Sequence, residues 1–323
     1  MPKLVYERIA ETAQVLKTKT TTLSRAADTF TDPRYYPPRD ADKETVTAYF
    51  LVMVAMDHRL SRPGRPYEAV VDGERHHGAD LLYRLGALKL SQDPDFFTAK
   101  RLARITTREL LEWLCIDDKC PPDPERRTIL LRDLGQKLIK LYDSNPYTII
   151  EESKGRLNGT PEEPGLIQLL GVFMAYNDPV WKKTMLLAKF LERRGILTIR
   201  DKNSKRVPVD NHVARIAYRL GIVEVEQHLK PLLEWRREAT PQEDTLLRTA
   251  VREAWHLTAV KAGIDDFTLD DTLWTYGRKT CTPEKPQCTK CIHLICTRQQ
   301  CPFLQLCRNK QLKEHLFHNT WWY

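Results

Sequence analysis

Apolar residues recur at three- and four-residue intervals along most of this chain, the spacing that lines one face of an α-helix. In TILLRDLGQKLIKLY they fall at Ile129, Leu130, Leu134, Leu138 and Leu141, which predicts an amphipathic helix. TVTAYFLVMVAM is apolar nearly all round and reads as a helix inside a core, as does LIQLLGVFMAY. TLLRTAVREAWHLTAVKAG keeps the helical pattern and stops at Gly263, a residue suited to a C-cap. DPRYYPPRD, CPPDPERR and NGTPEEPG carry the turn residues of loops. One stretch breaks the helical pattern. ILTIRDKNSKRVPVD sets two short β-prone runs around a charged turn, so a small hairpin is expected near 197–207. There is no internal repeat, and the fold class expected is mainly α.

The 323 residues suffice for one large domain or two smaller ones. No apolar run approaches the roughly 20 residues of a membrane span. The opening MPKLVYERIAETAQ has no apolar signal core. An intracellular protein, cytoplasmic or at the nucleoid, with no membrane partner is therefore expected. Lys plus Arg number 51 against 43 Asp plus Glu, a net charge of +8 that favours a polyanionic partner, nucleic acid first.

Six of the eight cysteines are packed into CTPEKPQCTKCIHLICTRQQCPFLQLC, from Cys281 to Cys307. A disulfide framework would spread them between distant elements, so one crowded segment argues for metal ligation. Cys115 and Cys120, in WLCIDDKCPP, read as ordinary packing or a helix-end loop. The segment has a single CxxC pair, Cys288 and Cys291, and the gap from Cys281 to Cys288 is not a usual zinc spacing. Four thiolates also suit an iron–sulfur cluster.

GRKTCTPEKPQCTKC resembles the terminal iron–sulfur loop of endonuclease III and the adenine glycosylases, within the helix-hairpin-helix base-excision DNA glycosylase superfamily. That loop spaces its ligands C-x6-C-x2-C-x5-C, and Gly277-Arg278, Thr280, Thr282 and Lys285-Pro286 also match it. The resemblance implies a 4Fe-4S cluster. Position 297, where the last ligand is due, is threonine, while CPFLQLC has the family's ending. An inserted stretch after Cys291 gives the ligands Cys281, Cys288, Cys291 and Cys307; an insertion before Cys301 puts that residue in place of Cys291. A third alignment ends at Cys296. Between Arg278 and His315 there are eight Lys or Arg against two acids, and such side chains on a pinned loop can hold phosphates. The resemblance places Lys285 against the DNA backbone, and Arg278 and Lys290 are further DNA-binding candidates on the same basic loop.

RVPVDNHVARIAYRLG sets Asp210 before a helix whose apolar face is Val213, Ile216, Ala217 and Leu220, an N-cap position. The segment resembles the VD-x-H/R-V-x-R run of the same superfamily, whose aspartate is catalytic, and looks closest to the archaeal oxoguanine glycosylases. His212 then falls among the DNA contacts. In YNDPVWKKTMLLAKFLERRG, Asn177 or Asp178 can cap and Pro179 suits the first helical position. Lys183-Thr184 matches the family's nucleophilic lysine and its threonine, with Lys182 and Thr184 as DNA-binding neighbours. The glycines that normally precede that pair are missing. Such a lysine must lose its proton to attack a sugar carbon. Lys182, the helix terminus and partial burial would all lower its pKa. AMDHRLSRPGRPYEA offers His58 and Arg59 as base-pocket residues by analogy of fold.

The expectation is thus a two-domain helix-hairpin-helix DNA glycosylase fold with a C-terminal iron–sulfur loop. Residues 1–50 would pack with the C-terminal domain, 51–205 form a central helical domain with a variant hairpin, and 206–323 form the C-terminal domain. The function implied is removal of a damaged base, oxidised guanine first, from duplex DNA by a monomeric glycosylase and AP lyase. A non-catalytic iron–sulfur DNA-binding protein and a zinc-dependent RNA-binding or RNA-modifying protein are the rival readings.

Overall fold

The computed structural model describes every residue except Ala26 and Pro63. It is mainly helical and divides into two compact units, Met1–Asp28 with Lys205–Thr320, and Thr29–Ser204 with Trp321–Tyr323.

The second unit is organised around the helix Lys43–Met56, the all-round apolar segment. Asp42 caps it, accepting the Thr45 N–H at 2.7 Å, and from Val46 to Met56 only Ala48 is not buried. Ala79–Gln92, Pro124–Leu141 and Lys182–Arg193 pack around it. Pro124–Leu141 contains the amphipathic run, with Leu130, Leu131, Leu134 and Leu138 inward, whereas Ile129 and Leu141 of the expected apolar face are exposed. Gly135 is required here: a Cβ would lie 2.3 Å from the Ala103 amide nitrogen and 2.6 Å from the Ala99 carbonyl oxygen. Polar ends of buried aromatics find backbone partners, as when the Tyr176 hydroxyl donates to the Leu51 carbonyl at 2.6 Å.

Two expectations fail in this unit. LIQLLGVFMAY is helical only over Leu166–Leu170; Gly171 ends the helix and turns follow. No strand forms at 197–207, where a short 3-10 turn covers Lys202–Ser204. The segment is tied elsewhere: the Asp201 carboxylate accepts the Leu157 and Asn158 N–H groups at 2.8 and 2.9 Å, and the Arg200 N–H donates to the Gly155 carbonyl. The hairpin lies instead at Glu68–Val71 and Glu74–His77, paired antiparallel with Glu68 opposite His77. Its turn residues Asp72 and Gly73 take φ 52° and 79°, the left-handed pair that an Asp-Gly hairpin turn needs.

In the first unit, Tyr6–Lys17 packs on Pro241–Ala262, and Asn211–Leu220 on Asp266–Lys279. The long helix has a capping box between Thr240 and Glu243 and stops at Gly263, φ 68°. Trp255 is fully buried, its indole donating to the Val213 carbonyl at 3.2 Å. Lys3–Leu4 pairs antiparallel with Val223–Glu224. Among the described residues no helix is long and apolar enough to cross a membrane.

Candidate functional site

Lys183 sits in the first turn of Lys182–Arg193 and is 0% exposed. The helix starts three residues later than Pro179 would have placed it. The turn before it is built by Asp178, whose Oδ1 accepts the Val180 N–H at 2.8 Å and whose Oδ2 accepts the Lys183 N–H at 3.2 Å. Between them Trp181 takes φ 61°, a left-handed conformation that costs a bulky residue about 1–3 kcal/mol. The two bonds to one buried carboxylate hold that turn in place.

The amine of Lys183 points at the end of Lys43–Met56. Its Nζ donates to the Ala55 carbonyl at 2.5 Å and lies 3.5 Å from His58 Nδ1. Lys182, 7% exposed, donates from Nζ to the Asp57 carbonyl at 2.8 Å. The 56–59 loop is itself clamped by the buried Arg127, which donates to the carbonyls of Met56, His58 (2.9 Å) and Arg59 (3.0 Å). Arg59 reaches outward and pairs with Asp123 at 2.8 Å. The His58 ring is buried, and its Nε2 has no hydrogen-bond partner among the described residues.

Burial drives the protonation states. It pushes the Lys183 amine well below the usual lysine range, aided by the positive charges of Lys182 and Arg127 and opposed by Asp57 and Asp178. Burial, with Arg127 and Lys183 nearby, likewise holds His58 neutral. It raises the Asp178 carboxyl, against the donors Val180, Lys183 and Tyr323, and lowers Arg127 to about 10. A neutral, desolvated amine is the state a lysine nucleophile needs. Thr184 is buried beside it.

Asp210 lies in the other unit as the N-cap of Asn211–Leu220, accepting the Val213 N–H at 2.9 Å. His212 follows within hydrogen-bond reach of Arg215, Nδ1 at 3.0 Å, and burial lowers its pKa. One turn apart on this helix, Arg215 and Arg219 are both essentially inaccessible and hold the cysteine segment. Arg215 donates to the carbonyls of Gly277 and Cys281, each at 2.8 Å, and pairs with Glu314 at 2.6 Å. Arg219 donates to Cys281 Sγ at 3.1 Å and to the carbonyls of Thr282 (2.9 Å), Pro283 (2.7 Å) and Leu312 (2.8 Å). The helix that Asp210 starts is thus the one on which the cysteine segment is mounted.

Cys281, Cys288, Cys301 and Cys307 line one cavity together with Arg219 and Tyr276. The Tyr276 hydroxyl lies 2.7 Å from Cys301 Sγ. Burial raises the Cys301 thiol, and burial with the neighbouring cysteines raises Cys307 to about 11. Cys291 is joined instead to Cys296 in a disulfide, as Cys115 is to Cys120 at the end of the Thr107–Leu114 helix. Among the described residues no three ligand-type side chains are gathered at metal-holding distance. Lys285 and Lys290 are exposed, while Arg278 is partly buried, its guanidinium 4.9 Å from the Trp274 ring centroid.

Sequence reasoning missed Arg127, Arg215, Arg219 and Tyr323 as parts of these sites. None of them left a signal: Arg215 and Arg219 fall on the side of their helix opposite Val213, Ile216, Ala217 and Leu220, and that side too is buried.

No protein-family model matches the chain. A stretch of 108 residues is 28% identical to endonuclease III of Bacillus subtilis (strain 168), covering 33% of this chain and 35% of that relative. The chain therefore matches only about a third of the relative's length, a partial and distant similarity.

Proposed function

We propose that this protein is a base-excision DNA glycosylase with associated AP lyase activity, acting on duplex DNA with Lys183 as nucleophile and Asp210 as the charge-stabilising carboxylate. The observation that carries the proposal is the fully buried Lys183 amine, beside Lys182 and Arg127 and pushed well below its ordinary pKa. The similarity to endonuclease III agrees with it. On this reading the two compact units are the two domains of a helix-hairpin-helix glycosylase.

The chemistry follows from a neutral amine. The target nucleotide leaves the base stack and opens the site. The Lys183 lone pair attacks C1′ as the N-glycosidic bond breaks, and the bonding pair leaves with the base, which takes a proton. The nitrogen gives up one proton, its lone pair forms the C1′=N bond as the C1′–O4′ bond breaks, and O4′ takes a proton, giving a protonated Schiff base. Removal of a C2′ proton then expels the 3′ phosphate by breaking the C3′–O bond, which cuts the strand. Asp210, held by its cap bond, stabilises the positive charge that develops on the sugar. His58 adjoins the amine and, with Arg59 next to it in the chain, is a base-pocket candidate; oxidised guanine is the first-choice lesion.

For the cluster, the residues present fit a thiolate-held group. Cys281, Cys288, Cys301 and Cys307 share a cavity, and Arg219 and Tyr276 supply hydrogen bonds to its sulfurs. We assign the 4Fe-4S ligands to these four, with Cys301 rather than Cys291 as the third. When bound, the cluster would pin the loop that presents Lys285 and Lys290 to DNA phosphates. Its formation must displace protons from the raised Cys301 and Cys307 thiols, so loading should weaken as pH falls.

The experiment is a panel of duplexes, each with one lesion, scored under single-turnover conditions for base release and strand cleavage. Release of at least one base with matching strand cleavage is expected. Binding to every duplex without release would favour the non-catalytic DNA-binding reading.

A further inference from the structure

The segment Trp321–Tyr323 packs within the unit that contains Lys183. It grips both walls of the lysine site. The Tyr323 carbonyl accepts the Arg59 N–H at 2.9 Å, on the loop that carries His58. The Tyr323 hydroxyl donates to Asp178 Oδ1 at 3.1 Å, and Tyr323 is only 7% exposed. Beside it, the Trp321 indole donates to the Met174 carbonyl at 2.9 Å and stacks under Arg126, whose guanidinium is 5.2 Å from the ring centroid.

Asp178 joins the tail to the nucleophile. One of its oxygens takes the Tyr323 hydroxyl and the Val180 N–H; the other takes the Lys183 N–H. A buried carboxylate with three donors is fixed in rotamer, and it fixes the strained turn at Trp181 and hence where the Lys183 side chain begins. Without the phenol, Asp178 keeps only backbone partners and one oxygen is under-satisfied in an apolar setting.

We propose that Tyr323 is a positioning residue for Lys183, acting through Asp178. The inference rests on the reading of Lys183 as a Schiff-base nucleophile and deepens it: the tail sets the aim of the amine and does not touch the sugar.

The test is single-turnover borohydride trapping on a duplex with one abasic site, titrated with enzyme to separate the saturating rate from half-saturation. Tyr323→Phe keeps the ring and its packing and loses only the hydroxyl. It should lower the saturating rate about tenfold, the loss expected for one hydrogen bond to a charged group, with half-saturation unchanged. Asp178→Ala should lower it at least as far, and Tyr323→Phe added to Asp178→Ala should cost nothing more. Thermal melts identify any variant that has failed to fold, and Tyr323→Phe, which fills the same space, is the decisive one. A wild-type rate for Tyr323→Phe, or an equal further loss in the Asp178→Ala background, overturns the inference and leaves the function standing. Absence of trapping by the unaltered protein overturns both.

Discussion

A buried lysine held neutral should be a burden on stability, and replacing Lys183 with methionine tests this. Lys183 is 0% exposed, its amine meets the Ala55 carbonyl and the His58 ring, and Lys182 and Arg127 repel its proton. Its folded-state pKa is depressed, whereas in the unfolded chain it stays near the ordinary lysine value of about 10.4. Between those two values the unfolded chain binds more protons, so stability rises with pH by up to about 1.4 kcal/mol per unit from this group alone. Methionine fills similar space and carries no proton. Lys183→Met should therefore be more stable than the native chain at pH 7, after loss of one hydrogen bond worth about 1 kcal/mol. The advantage should shrink with each unit of pH toward the lysine range. Urea melts at pH 6, 7, 8 and 9, with the slopes compared to check that both unfold alike, measure the difference directly. A gap between the two proteins that does not change with pH would refute the claim that folding strips Lys183 of its proton.

Three further outcomes can be checked separately. Asp210→Asn keeps an oxygen for the Val213 N–H and should fold normally while base release falls by orders of magnitude; Asp210→Ala should in addition lose about 1 kcal/mol in a melt. Cys301→Ser should lose iron and visible absorbance in anaerobically purified protein, whereas Cys291→Ser should keep both, and the reverse pattern would restore Cys291 to the ligand set. Lys285→Ala should reduce the slope of log affinity against log salt by roughly one if that amine meets a phosphate, and an unchanged slope would make it a solvated charge.

The helical periodicity of the sequence transferred well because it is a local consequence of which face is buried. The Lys43–Met56 and Pro124–Leu141 helices and the Gly263 stop all follow from spacing and caps. The hairpin went astray because β-prone residues at 197–207 were outweighed by distant partners, Asp201 reaching the amides of Leu157 and Asn158. The real hairpin had the stronger local signal, Asp72-Gly73, flanked by EAVV and ERHH. At the lysine site the sequence displayed the Lys183-Thr184 pair and the capping Asp178. It could not display that Arg127 would clamp the 56–59 loop or that Tyr323 would close on Asp178, since both contacts join residues far apart in the chain. Among the cysteines, the spacing put Cys291 in the ligand set with Cys301 as its alternative; the fold has Cys301 in the cavity and pairs Cys291 with Cys296.

The central claim is that Lys183 attacks C1′ and forms a Schiff base, and borohydride trapping on a duplex bearing one abasic site tests it most directly. The unaltered protein should yield a covalent protein–DNA adduct, and Lys182→Gln should still form it, because the amine that burial deprives of its proton is that of Lys183. Lys183→Gln should bind the duplex and give no adduct. An adduct of undiminished yield from Lys183→Gln, or loss of it from Lys182→Gln alone, would contradict the account.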